Sequence, residues 1–234
     1  MKNLMNEKPT DPLRPRQIES LRFVSESDIK NKEILDVGCG YGWFESYALS
    51  KGVKRICGIE IAESDFAKAV EGIKDKRAEF KIGSAIKIPY KDKQFDTVVC
   101  WEVIEHIPKG TEIDMFREVG RVLKDGGTFY LSTPYNSFLS KYLDPAWWIL
   151  GHRHYSEAKL RQTGNSGLKA ERVMKKGKIW SLFLLLNFYA SKWVLRRTAL
   201  FDEHFISKEK AEYKKKKGFM QIFVQYAKYK NRLP

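Results

Sequence analysis

The densest chemistry in this chain lies in one short turn and an acid that follows it. Asp36-Val37-Gly38-Cys39-Gly40-Tyr41-Gly42 comes directly after an apolar run, and Trp43 opens a segment with helical spacing. Glycines let backbone approach a bound molecule closely, and a helix N-terminus offers free N–H groups to an anion. Glu60 closes the next apolar run about 20 residues on, where a carboxylate can bind the two hydroxyls of a ribose. The dinucleotide fingerprint G-x-G-x-x-G is not met, because its third glycine falls on Trp43, which disfavours a nicotinamide dehydrogenase.

Histidines supply the other reactive groups. His106 sits in EVIEHI, while His152 and His154 flank Arg153 in the segment DPAWWILGHRHYS (144–156). A neutral imidazole can take a proton from a hydroxyl near physiological pH. An orienting or helix-capping role is the alternative for His106. In the 144–156 segment, Trp147 and Trp148 offer an apolar wall, and Arg153 with its two histidines could grip an anionic or hydroxylated group. Ser156 and Glu157 also read as the cap and first turn of a helix. The three cysteines, Cys39, Cys57 and Cys100, lack metal-ligand spacing and read as buried reduced thiols, so no metal site is assigned to them. Glu102 and Glu105 leave a metal requirement open.

These groups need elements to position them. Period-2 and β-branched runs predict strands at 33–37, 55–60, 78–82, 95–101 and 128–132. Helical spacing predicts helices at 16–30, 43–50, 64–74 (with Ser64 as its cap) and 112–123. Strands alternating with helices imply βαβ crossovers, a parallel sheet covered on both faces, and a ligand beyond the carboxyl ends of the strands. Further strands are expected at 167–173 and 219–227. The expected fold is therefore α/β, a doubly wound seven-stranded Rossmann-like sheet forming one domain. Its core spans 30–175 plus the final strand, with an apolar helical insertion at about 178–217. Hydrophobic residues at 43% and aromatics at 13% suit such a globular chain and argue against disorder.

The residues now named resemble class I S-adenosylmethionine-dependent methyltransferases. ILDVGCGYG (34–42) looks like the family's first motif, and CGIEIAESDFAKA (57–69) like its second strand with a ribose-binding acid. IGSAIKIPYKDKQFDTVV (82–99), WEVIEHI (101–107) and REVGRVLKDGGTFYLSTP (117–134) follow in the family's order. The resemblance implies S-adenosyl-L-methionine as cofactor and S-adenosyl-L-homocysteine as product. It places Asp36, Gly38, Cys39 and Gly40 at the methionine moiety, and Glu60 and Ile61 at the ribose and one adenine face. Ser84 and Ala85 would edge the adenine, with Trp101 and Glu102 near the sulfonium. Ser84 is a departure, since the family commonly has Asp there. His106, His152 and His154 are the candidate catalytic residues. The segment after the fifth strand resembles, more loosely, that of methyltransferases of glycolipid and quinone pathways.

Two features lie outside those motifs. The net charge is +14, concentrated in the last third in Lys175, Lys176 and Lys178, in Lys192, Arg196 and Arg197, and in 214–217. Such a field attracts an anionic partner. The apolar run IWSLFLLLNFYASKWVL (179–195) is short for a membrane span. A core or dimer helix is a second reading. An in-plane membrane helix fits best: at about 100° per residue, Ser181, Asn187, Ser191 and Lys192 share an arc of roughly 140°. Trp180 and Trp193 near its ends suit an interface, and 179–197 would meet an anionic membrane.

The expected function is transfer of a methyl group to a small-molecule or lipid-linked acceptor, by O-methylation, in the cytoplasm or on the inner face of a membrane. Nucleic acid is disfavoured as partner, because the basic clusters flank an apolar helix instead of interleaving with stacking aromatics. An RNA or protein methyltransferase and a non-catalytic partner-binding module are the rivals. No leader pattern is read in the Pro-containing start of the chain.

Overall fold

The strands that were expected to pair do so because each carries two apolar faces. In β1 (Glu33–Val37), Leu35 and Val37 point to one core and Ile34 to the other. In β4 (Phe95–Trp101), Val98 and Cys100 oppose Val99 and Trp101, and β5 (Leu123–Pro134) splits Phe129 and Leu131 from Tyr130 in the same way. A strand apolar on both faces must be covered twice, which is the condition for a central parallel sheet. With β2 (Arg55–Glu60), β3 (Ala78–Ile82), β6 (Leu168–Lys176) and β7 (Gln221–Lys228), the sheet runs in the order β3-β2-β1-β4-β5-β7-β6. Strands β1 to β5 pair in parallel, and β7 runs antiparallel to both neighbours. The computed structural model describes residues 8, 9, 11–149, 151–165, 167–191, 195, 196, 202–215 and 217–229.

One face is covered by α1 (Pro15–Phe23) and α2 (Trp43–Ser50), which bury Phe23, Phe44 and Ala48 with Ile34, Ile56 and Val99. The other is covered by α4 (Glu112–Val122) and α7 (Glu157–Gly164), through Met115, Phe116, Val119 and Leu160. Between β2 and β3 lies α3 (Glu63–Gly72). After β5 come two short helices, α5 (Phe138–Leu143) and α6 (Pro145–Ile149). Between β6 and β7 lie α8 (Ile179–Tyr189) and α9 (Asp202–Tyr213).

Several boundaries differ from expectation for identifiable reasons. The first helix starts with Pro15 at its first turn and stops at Phe23, where Val24 turns extended. A 3₁₀ turn at Glu26–Asp28 follows, so that Asp28 accepts from the Tyr130 hydroxyl at 2.6 Å. Ser64 does not cap α3. The helix begins at Glu63, and the Glu60 carboxylate accepts the Ile61 and Ala62 N–H groups ahead of it at 2.8 and 2.9 Å. Strand β5 starts at Leu123 and continues through Gly127, where a side chain would meet the Asp96 and Lys124 carbonyls at 2.9 Å. Strand β6 extends to Lys176, whose buried ammonium pairs with Glu19 at 3.1 Å and donates to the Tyr213 carbonyl at 2.6 Å.

In the apolar insertion the α-helix covers Ile179–Tyr189 and passes into a π-helical turn at 190–191. Lys192, Trp193 and Arg197, invoked in the membrane reading, lie outside the described residues. Its first turn is held by an acid from another element. Glu212 of α9 accepts from the backbone of Lys178, from Trp180 at 3.0 Å and from Ser181 at 3.2 Å. These are N–H groups that a helix start leaves without an internal partner. Of the polar arc, Ser181 and Ser191 are buried against protein and Asn187 is half-buried. Among the described residues no helix is long and apolar enough to cross a membrane.

Candidate active site

The carboxyl ends of β1 to β4 gather every residue expected at the cofactor. Gly38, Gly40 and Gly42 take φ of +78°, +55° and +88°, the left-handed region that excludes most side chains. Gly38 is doubly required, since a Cβ there would lie 2.3 Å from the Val103 side chain. The Gly38 and Cys39 N–H groups donate to the Ile59 carbonyl at 2.8 and 3.0 Å, tying the loop to the end of β2. Gly40 donates to Glu60 Oε2 at 3.0 Å, and Gly83 donates to the Glu60 carbonyl at 3.0 Å, which brings Ser84 and Ala85 alongside. Ile61 is 72% exposed beside this carboxylate, an unusual degree for an isoleucine next to a buried strand.

Behind the loop two acids are buried together. Neither carboxylate oxygen of Asp36 or of Glu45 finds a hydrogen-bond partner among the described residues. Burial, with Glu45 and Glu60 nearby, holds the Asp36 carboxyl well above the usual carboxylate range. Burial likewise pushes Glu45 up to about 8. The Cys39 thiol is pushed far up by burial and by the same acids, so it stays un-ionised.

A cavity of about 350 Å³ adjoins this loop system at Glu102. Glu102 sits at the end of β4 with φ +57°, a strained conformation for a non-glycine residue. Its carboxylate accepts from Ser132 Oγ at 2.6 Å and from Arg16 at 3.1 Å. Gln221, in the amide orientation that satisfies its neighbours, donates to it as well. Glu105, also buried, accepts from Thr133 Oγ1 at 3.0 Å. Burial and then the nearby Glu102 charge raise its pKa well above the ordinary value.

The three histidines meet around this cavity, in two different surroundings. His106 and His152 contact each other edge to face at 4.4 Å. Enclosure in the site, then the charges of His152, Arg16 and Arg153, push His106 down to about 4, although its ring keeps accessible surface. Burial also lowers His152. Both are therefore neutral at neutral pH. The His154 side chain is 2% exposed, its Nε2 lies 3.2 Å from Asp144, and its buried Nδ1 finds no hydrogen-bond partner among the described residues.

Two expectations for the 144–156 segment need correction. Arg153 does not point at an acceptor. Its guanidinium donates to the Ile104 and Ile107 carbonyls at 2.6 Å each, pinning the loop that carries His106. Those carbonyls follow β4 and have no strand partner, which explains why a cation from another loop takes them. Trp147 and Trp148 do not form the cavity wall either. That wall comes from Leu184, Leu185 and Phe188 of α8, with Met220 and Ala146. Several cavity groups were not anticipated. Arg14 and Arg16 of the N-terminal segment reach it, as do Glu209 and Tyr213 one turn apart on α9. Burial pushes Glu209 up to about 7. In a lysine-rich sequence, nothing marks the inward carboxylates of α9 from outward ones.

The sequence model described as a methyltransferase domain matches residues 13–166, and the chain belongs to this family. Its fold is that of S-adenosylmethionine-dependent methyltransferases. It superimposes on one such enzyme from Mesorhizobium loti with a TM-score of 0.63 at 16% identity, covering 92% of this chain and 98% of that one. Among curated proteins, a probable chloroplastic tocopherol O-methyltransferase of Oryza sativa subsp. japonica is 34% identical over 123 residues, 49% of this chain and 33% of that protein. The ubiquinone biosynthesis O-methyltransferase of Coxiella burnetii is 32% identical over 131 residues, 55% of this chain and 52% of that protein. The chain thus spans between a third and about half of the length of these relatives.

Proposed function

We propose that this protein transfers a methyl group from S-adenosylmethionine to a hydroxyl of a small or lipid-linked acceptor held in the cavity beside Glu102. The observation that carries this reading is the cavity itself: one neutral histidine pair and an apolar wall share a space that begins where the cofactor loops end. The names of the two curated relatives, both O-methyltransferases, support it.

The residues fit the cofactor on three counts. Asp36 offers a buried carboxyl with no hydrogen-bond partner among the described residues, suited to an ammonium group. Gly40 leaves the loop backbone open to close approach, and Glu60 with the exposed Ile61 suits a ribose and a flat base. When bound, S-adenosylmethionine supplies a methyl group already activated by its sulfonium. What remains for the chain is to align the acceptor and accept its proton. His106 or His152 takes the hydroxyl proton on a free ring nitrogen, Glu105 in its protonated form donates to an acceptor oxygen, and Leu184, Leu185 and Phe188 exclude water.

The sign of the pH dependence follows from the His106 shift. Its ring can accept a proton only when neutral, and the lowered pKa keeps it neutral down to about 4. If His106 is the base, the acid limb of kcat/KM is expected near pH 4 to 5, and His106→Ala should lower kcat roughly 100-fold. A limb at the unperturbed histidine value with full activity in the variant would remove His106 from this role.

The acceptor class is tested with S-adenosylmethionine carrying a radiolabelled methyl group, incubated with the protein and a total cell extract and then partitioned between organic solvent and water. Label in the organic phase that disappears with a Glu60→Ala variant is the expected result. Label confined to RNA or protein would overturn the acceptor class. The basic surface is a weaker RNA track than its sequence suggests, because Lys175 pairs with Glu157 at 2.9 Å and Lys176 is buried against Glu19.

A further inference from the structure

We propose that α5 and α6 form the surface by which this protein docks on an anionic lipid bilayer, alongside the acceptor cavity. The proposal deepens the reading above and rests on it only for the lipid-linked nature of the acceptor. It replaces the apolar face of α8 as the membrane contact, since Leu184, Leu185 and Phe188 of that helix are turned to the cavity.

The two short helices present different chemistry on their two sides. Inward, Ser140, Asp144 and Ala146 belong to the cavity lining. Outward, Phe138 is 77% exposed and Trp148 64%, with Leu139, Tyr142 and Leu143 each above 40%. Their rings form one continuous cluster. Phe138 lies 5.0 Å from Tyr142, Tyr142 lies 5.9 Å from Trp147, and Trp147 lies 4.5 Å from Trp148. Monomeric proteins rarely leave such a patch to water, so it needs a cover.

The side-chain types select a bilayer as that cover. Tryptophan and tyrosine combine an apolar body with one polar group, the composition that settles at the boundary between headgroups and acyl chains. The charge is complementary to an anionic surface. Lys141 is the cation of this segment, its ammonium held 5.0 Å from the Trp147 ring and 5.2 Å from the Tyr142 ring. Asp144, the acid of residues 138–149, is buried against His154 and leaves no negative charge on the outer face. A net charge of +14 adds long-range attraction to acidic lipid. Because the same helices wall the cavity, an acceptor resting in the bilayer would have a short path from lipid to His106 and His152.

The test uses the full chain and vesicles of equal parts phosphatidylglycerol and phosphatidylcholine, read by cosedimentation. The parent protein is expected to bind, more weakly on phosphatidylcholine alone. The double variant Phe138→Ser, Trp148→Ser should lower the partition coefficient roughly 100-fold. The α8 variant Phe183→Ser should leave it unchanged. Calorimetric titration with S-adenosylhomocysteine runs in parallel, and unchanged affinity in the double variant shows an intact fold. Absence of binding by the parent chain, or equal binding by the double variant, overturns the proposal. So does a parent dimer in sedimentation that the double variant dissolves without any vesicle binding. If S-adenosylhomocysteine binds while vesicles do not, the docking surface falls and the methyltransferase reading stands; vesicle binding without cofactor binding gives the reverse.

Discussion

Glu60→Ala is expected to weaken S-adenosylhomocysteine binding by roughly 10²–10⁴-fold, measured by calorimetric titration. A hydrogen bond to a charged group contributes about 1.5–3 kcal/mol, and a ribose diol can make two of them to one carboxylate. At about 1.4 kcal/mol per tenfold, two such bonds span that range. The loss has a second source. Glu60 also accepts from the N–H groups of Gly40, Ile61 and Ala62, so the empty side chain would loosen the glycine loop and the start of α3 together. Glu60→Gln keeps one carbonyl oxygen and is expected to fall between the two. An alanine variant within tenfold of the parent would show that the ribose is not held here.

Asp36→Asn is expected to move stability and cofactor affinity in opposite directions. Among the described residues the Asp36 carboxyl is buried, has no hydrogen-bond partner and lies close to Glu45 and Glu60. An unsatisfied buried polar group costs about 1–3 kcal/mol, and more when charged. Its folded pKa lies above the unfolded value, so the stability it contributes is present at low pH. That contribution is lost as pH rises through the folded value. The amide cannot ionise, so the variant should lose this decline at neutral pH. The amide is still a buried polar group, so only the charge part of the cost is relieved; about 1 kcal/mol of relief raises Tm of the ligand-free protein by about 2–4 °C for a chain of this size. Cofactor affinity should meanwhile fall by roughly 10²-fold or more, because a neutral amide cannot balance an ammonium. A variant with lowered Tm and intact affinity would make Asp36 a structural acid instead. Differential scanning calorimetry with and without S-adenosylmethionine reads both signs in one experiment.

The cofactor half of the site was legible because its requirements are local. Glycines that must take positive φ, an acid at a strand end and a period-2 apolar pattern are written within a few residues of each other. The strands and their parallel order were legible for the same reason, while the register that aligns Asp36 with Gly58 came only from the structure. The acceptor half was not, because its groups come together only through the tertiary fold. Arg16 reaches Glu102 across 86 positions, and Glu212 caps α8 from 31 to 34 residues away. Charge alone misled at Arg153 and Lys176. Both look like free cations in the sequence, and both are occupied by backbone carbonyls. The apolar run at 179–195 was read by its wheel, but a wheel does not say which face a cavity takes.

The insertion of α8 and α9 interrupts the chain where interruption disturbs the sheet least. Lys176 and Gln221 are directly paired at the mouth of the β6–β7 ladder, so the chain leaves and re-enters at neighbouring points. Most of the apolar wall of the cavity is thus carried by a cassette outside the parallel strands, while the glycine loop and Glu60 belong to the sheet itself. The family match ends at residue 166, before the cassette begins. In such an architecture the choice of acceptor can drift under selection by rewriting one excursion. The machinery that delivers the methyl group stays as inherited.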